Sequence, residues 1–82
     1  MSDWNNRITL TDGQTLVLVS SKSKGFMQET DITTYNVVDR DGAVCGDVTV
    51  ADHTAVKGFK RTLHVVQRNS AGEAIVDEAW NP

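Results

Sequence analysis

The apolar positions of this 82-residue chain fall into short stretches rich in β-branched residues, separated in pairs by glycine-bearing turns. That arrangement predicts hairpins, because Val, Ile and Thr suit a pleated, half-buried surface and glycine supplies the positive φ that tight turns need. Three units can be laid out. The first runs from Arg7 to Thr11, turns at Asp12-Gly13 and returns over Gln14 to Ser20. The second runs from Ile32 to Arg40, turns at Asp41-Gly42 and returns over Ala43 to Ala51. Both Asp-Gly pairs suit a two-residue type I′ turn. The third pairs Lys60 to Arg68 with Glu73 to Trp80 across Asn69-Ser70-Ala71-Gly72, a longer loop.

A two-residue turn at Asp41-Gly42 sets Tyr35 against Val48 and Val37 against Gly46, with Thr33, Val50, Asp39 and Val44 on the same side. Thr34, Asn36, Cys45, Asp47 and Thr49 then take the other side, giving one apolar and one polar face. Gly46 inside a strand leaves a gap, so either Tyr35 lies across it or the strand bulges there. In the third hairpin a four-residue loop sets Val65 against Val76, Leu63 against Glu78 and Arg61 against Trp80, and brings His64 to Asp77.

The run Leu16-Val17-Leu18-Val19 is apolar on both faces and calls for a second cover: a curling sheet, a short helix or another copy of the chain. Asp52 to Phe59 is the one helix candidate, capped by Asp52 and weakened by Gly58. The pattern as a whole predicts a mainly β fold. It is a single domain over residues 1–82, with about six antiparallel strands in three sequential hairpins forming a curled sheet or half-barrel, and with residues 1–6 and 81–82 as loose ends. The alternative is an α+β fold with one short helix near residues 52–58 packed on the sheet.

Composition narrows the function classes. Hydrophobic residues make up 39% and charged ones 23%, the balance of a folded domain. Eight Lys and Arg against 11 Asp and Glu give a net charge of −3, opposite to what binding a phosphate backbone favours. The charge is banded. Residues 28–56 carry six acids and one base, Arg40; residues 57–68 carry Lys57, Lys60, Arg61 and Arg68 with no acid; Glu73, Asp77 and Glu78 follow. Such bands read as neighbouring strands of opposite sign. Cys45 is the only cysteine, which excludes an intramolecular disulfide and a Cys₄ or Cys₂His₂ zinc site. The start has no basic-then-apolar leader and no apolar run approaches about 18 residues, so the expectation is a cytoplasmic protein with no membrane insertion.

No spacing assembles a catalytic site. His64 with Asp77, or His53 with Asp52 and Asp47, reads as a surface neighbour pair, and Cys45 has no adjacent cation to activate it. Neither an enzyme nor a cofactor is expected. The tripeptide Lys-Gly-Phe occurs twice, at residues 24–26 and 57–59, each time ahead of two valines and an arginine. Structurally, each glycine permits a sharp bend into a hairpin and each phenylalanine plugs the end of the sheet.

Two functional readings follow. The first is a non-enzymatic protein-interaction module, an accessory, inhibitor or regulator that acts by surface contact, with self-association into a homo-oligomer included. Its contact candidates are Trp4, Leu16, Leu18, Trp80, Asn36 and Asp47. The second is single-stranded nucleic-acid binding, in which Phe26 and Phe59 stack on bases while Lys22, Lys24, Lys57, Lys60 and Arg61 meet phosphates.

Overall fold

The hairpin pattern becomes a single antiparallel meander. In a computed structural model, which describes residues 4–25, 29–55, 58 and 60–82, five strands follow in chain order across one sheet: β1 (Thr15–Lys24), β2 (Thr30–Val38), β3 (Val44–Thr54), β4 (Arg61–Asn69) and β5 (Ala74–Trp80). The mainly β reading therefore holds, with five strands in place of about six and an open sheet. Strands β1 and β5 form its two edges.

The missing strand is Arg7 to Thr11. Trp4–Arg7, the last part of the expected loose end and the first residue of the expected strand, instead form one turn of 3₁₀ helix. The chain then crosses one face of the sheet as a strap. Its anchor is the buried side chain of Gln67: the Thr9 N–H donates to Gln67 Oε1 at 2.7 Å, and Gln67 Nε2 donates to the Thr9 carbonyl at 2.6 Å. A side-chain amide offers N–H donors beside a carbonyl acceptor, and here one of each meets the Thr9 peptide groups, so it satisfies the strap without a strand partner. The strap ends at the expected Asp12-Gly13 turn, closed by the Gln14 N–H to the Thr11 carbonyl at 3.0 Å, and β1 leaves it to pair with β2.

Beneath the strap lies the core: Val37, Val48, Val50, Leu63 and Val65, with Trp4, Ile8, Leu16, Tyr35, Val76 and Trp80 packed around it. All five core residues belong to one face of β2, β3 and β4. Alternation along β3 and β4 puts Val48, Val50, Leu63, Val65 and Gln67 on that face, and each is buried.

Both later hairpins turn by the same device, and neither matches the expected loop. The Asp39 N–H donates to the Ala43 carbonyl and the Gly42 N–H to the Asp39 carbonyl, so the loop is the three residues 40–42, ending on Gly42 at φ 87°. Asn69 pairs with Glu73 and Gly72 in the same way, with Gly72 at φ 83°. Asp39 Oδ1 accepts the N–H groups of Asp41 and Ala43, and Asn69 Oδ1 those of Ala71 and Glu73. A single residue is then bulged out of the following strand: Cys45 in β3 and Ile75 in β5.

The bulge compensates for the longer loop in the second hairpin. Tyr35 faces Val48, Val37 faces Gly46 and Thr33 faces Val50 as expected, while Val44 slips to face Val38 instead of Asp39. The bulge also turns Cys45 away from the polar face and toward the strap, where its thiol donates to the Val37 carbonyl at 3.4 Å and receives Gln14 Nε2 at 3.3 Å. In the third hairpin the two effects move the register by two residues: Val65 faces Glu78, Leu63 faces Trp80 and Gln67 faces Val76.

Asp52, His53 and Thr54 are the last residues of β3, paired with Leu63, Thr62 and Arg61, so the helix near residues 52–58 does not begin at its expected cap. Val56, Lys57 and Phe59 of that segment lie outside the described residues.

Candidate functional site

Strand β1 carries a continuous run of exposed apolar side chains. Leu16 packs half-buried against the core, but Val17, Leu18 and Val19 are 49, 60 and 53% exposed, three apolar side chains in a row on an edge. The cause is local. The pairing of β1 with β2 shifts between Leu18 and Ser20, so Val19 is extra on its strand. The cover demanded by the doubly apolar run is thus absent on its outer side among the described residues. Beyond the bulge, Lys22 and Lys24 are exposed and take no part in an ion pair among the described residues.

The polar face opposite the strap forms as the alternation implied. Thr34 faces Thr49 and Asn36 faces Asp47 across β2 and β3, and Asp47 faces Arg68 across β3 and β4, with Oδ1 3.7 Å from Arg68 Nη1. That gap exceeds a hydrogen bond, and this oxygen, screened from solvent, has no hydrogen-bond partner. His64 and Asp77 lie on the same face. They are diagonal neighbours because of the shifted register, and their side chains meet at 2.6 Å. His53 Nδ1 meets Thr30 Oγ1 at 2.6 Å, and no group of three or more His, Cys, Asp or Glu side chains suited to a metal occurs among the described residues.

Trp4 and Trp80 both serve the packing. The ring of Trp4 lies 5.3 Å from that of Tyr35, and the Arg7 guanidinium lies 4.0 Å above Trp80 while bonding Glu78 at 3.1 Å. Beside the 3₁₀ turn, an open cleft of about 440 Å³ lies between Trp4, Tyr35, Ser21, Asp31, Asp52 and Leu63. Sequence reading missed it, although the β2–β3 register it used already sets Asp31 opposite Asp52. Each carboxylate there is engaged: Ser23 Oγ donates to Asp31 at 2.7 Å, and Arg61 grips Asp52 through two nitrogens.

Hydrogen bonding from the Arg61 guanidinium holds the Asp52 carboxyl below its ordinary range; partial burial opposes this and the guanidinium charge adds to it. An unfolded chain therefore takes up this proton first on acidification. The pair's contribution to stability is present above an ordinary carboxylate pKa of about 4 and is lost as pH falls through the lowered folded value. Urea unfolding of the wild type and Asp52→Asn checks the sign. The wild type is expected to be the more stable at pH 7, with the difference closing below about pH 4; a difference that grows on acidification contradicts it.

Of the basic-aromatic candidates, Lys24 and Lys60 are exposed, Arg61 is committed to Asp52, and Phe26, Lys57 and Phe59 lie outside the described residues. The two tripeptide glycines do share a backbone state, with φ 98° at Gly25 and 88° at Gly58, which accounts for glycine at both positions. No helix among the described residues is long and apolar enough to cross a membrane. The chain matches no family model, no curated protein and no solved structure.

Proposed function

We propose that this chain is a non-enzymatic protein-interaction module whose binding element is the free edge of β1. The observation that carries the reading is the run Val17-Leu18-Val19, 49 to 60% exposed on a ten-residue edge strand. An edge strand presents unpaired N–H and C=O groups, and an added strand satisfies them while its side chains cover the apolar ones. The polar face, with Asn36 and Asp47 at its centre, borders this edge and supplies the rim of the contact. With its single cysteine, the chain is suited to a reducing cytoplasm, where we place its work.

The test is capture from a lysate of the source organism by the tagged chain, beside the same chain carrying Leu18→Lys and Val19→Lys. A protein retained by the wild type and lost from the variant supports the edge reading. Equal retention by both overturns it, and retention abolished by nuclease turns the assignment to nucleic acid.

A further inference from the structure

We propose that the strand added to β1 is β5 of a second copy, so that the chain associates head to tail; this rests on reading β1 as the binding edge. The two free edges are opposite in charge. Strand β1 holds Lys22 and Lys24 and no acid, whereas β5 holds Asp77 and Glu78 and no base. Pairing of β5 with another β5 opposes acid to acid, and parallel pairing of β1 with β1 opposes lysine to lysine, each destabilising; an antiparallel β1–β1 pair keeps the lysines apart but leaves the acids of β5 unmatched. Pairing of β1 with β5 opposes unlike charges.

Direction and register agree with this choice. Four antiparallel pairings in succession leave β1 and β5 running the same way, so a second copy that continues the sheet brings its β5 alongside β1 in parallel. The rows of the sheet can be followed across it. Leu18 leads through Tyr35, Val48 and Gln67 to Val76; Ser20 leads through Thr34, Thr49 and Val66 to Asp77; Lys22 leads through Ile32, Ala51 and His64 to Ala79.

Continuation without a shift therefore sets Leu18 beside Val76 of the second copy and Ser20 beside its Asp77. Lys22 comes one step from that Asp77, on the same face. The exposed Val17-Leu18-Val19 lies along Ala74 to Val76, where Ile75 is itself 50% exposed. Apolar meets apolar and cation meets anion in one register. The Asp77 side chain is 64% exposed, so its contact with His64 leaves it open to a second cation. The Arg7–Glu78 pair belongs to the opposite face and is left intact. Because the contact joins two different surfaces, it builds rings or open chains instead of stopping at a two-fold dimer.

Sedimentation velocity of the full chain tests this. Weight-average mass is expected to climb from the 9.0 kDa monomer as concentration rises, and to fall back when salt is raised from about 0.02 to about 0.5 M. Lys22→Glu alone and Asp77→Lys alone each lose the association, while their equimolar mixture regains it, because the two introduced charges then face each other. The rescue also shows that both variants are folded.

A chain that stays monomeric at all concentrations, or a two-fold dimer indifferent to Asp77→Lys, overturns head-to-tail pairing. If another protein is still captured in a manner dependent on Leu18 and Val19, the binding-edge reading stands and only the second copy as occupant is lost.

Discussion

Leu63→Ala is expected to lower stability by about 2 to 5 kcal/mol, the cost of emptying a buried leucine site. Leu63 is 1% exposed and is the largest fully buried side chain among the described residues. It sits between Asp52 of β3 and Trp80 of β5 in one row of the sheet and lines the cleft beside Trp4, so its loss leaves a void that the paired strands cannot close. A domain of this size has roughly 4 to 12 kcal/mol of stability in all, so a melting temperature lower by roughly 10 to 30 °C is the expected reading. Leu63→Val retains most of the volume and should cost about 1 kcal/mol. Thermal unfolding by circular dichroism distinguishes the two. Equal, small losses for both would mean that the adjoining cleft collapses into the space and that Leu63 is not the keystone of the core.

Gln67→Leu tests the strap. The substitution keeps a buried side chain of similar size but removes both hydrogen bonds to Thr9, leaving a peptide N–H and C=O facing an apolar surface. Unsatisfied groups of this kind cost about 1 to 3 kcal/mol each, which the strap escapes only by lifting into water. Lifting takes Trp4 from Tyr35 and Ile8 from the core. We expect a loss of about 2 to 4 kcal/mol together with a red shift of tryptophan emission. A variant that melts with the wild type and keeps its emission would show that the strap is held by its apolar contacts alone.

The same Gln67 explains why one strand of the sequence reading does not exist. Arg7 to Thr11 has the alternation of a strand, yet its peptide groups find a partner in a side chain that points up from β4, 58 residues away in sequence from Thr9. Nothing in residues 7–11 announces that partner. The β2–β3 register, by contrast, was legible because alternation on both strands allows few fits. The expected pairing holds over Thr33, Tyr35 and Val37 although the loop has three residues in place of two, since the bulge at Cys45 restores what the longer loop displaces. No such cancellation occurs in the third hairpin, where the loop and the Ile75 bulge both move the pairing, and the expected partners of Leu63 and Val65 were two residues off.

Of the candidate contacts, the doubly apolar run was visible as a surplus of hydrophobic positions. Only the tertiary structure settles which members of it are covered: Leu16 lies against the core, and Leu18 is left 60% exposed. Trp4 and Trp80, noticed for their residue type, turn out to be held by Tyr35 and Arg7. The cleft beside Trp4 escaped notice because it is a space between distant segments, which a linear pattern does not display.

What the amino-acid order determined unaided is the class of fold and its local rules: period-two alternation over the central strands, turns placed by Asp-Gly and Asn-x-x-Gly, and an apolar surplus at Leu16 to Val19. These depend on neighbours a few residues apart, whose steric and hydrogen-bonding preferences are written in the chain itself. The tertiary structure decided the rest: that the N-terminal segment crosses the sheet instead of joining it, that Cys45 and Ile75 are bulged, and that β1 is left as an apolar edge. Each of these is a competition for the same hydrogen-bonding groups between partners far apart in sequence, and its outcome exists only once the sheet has formed.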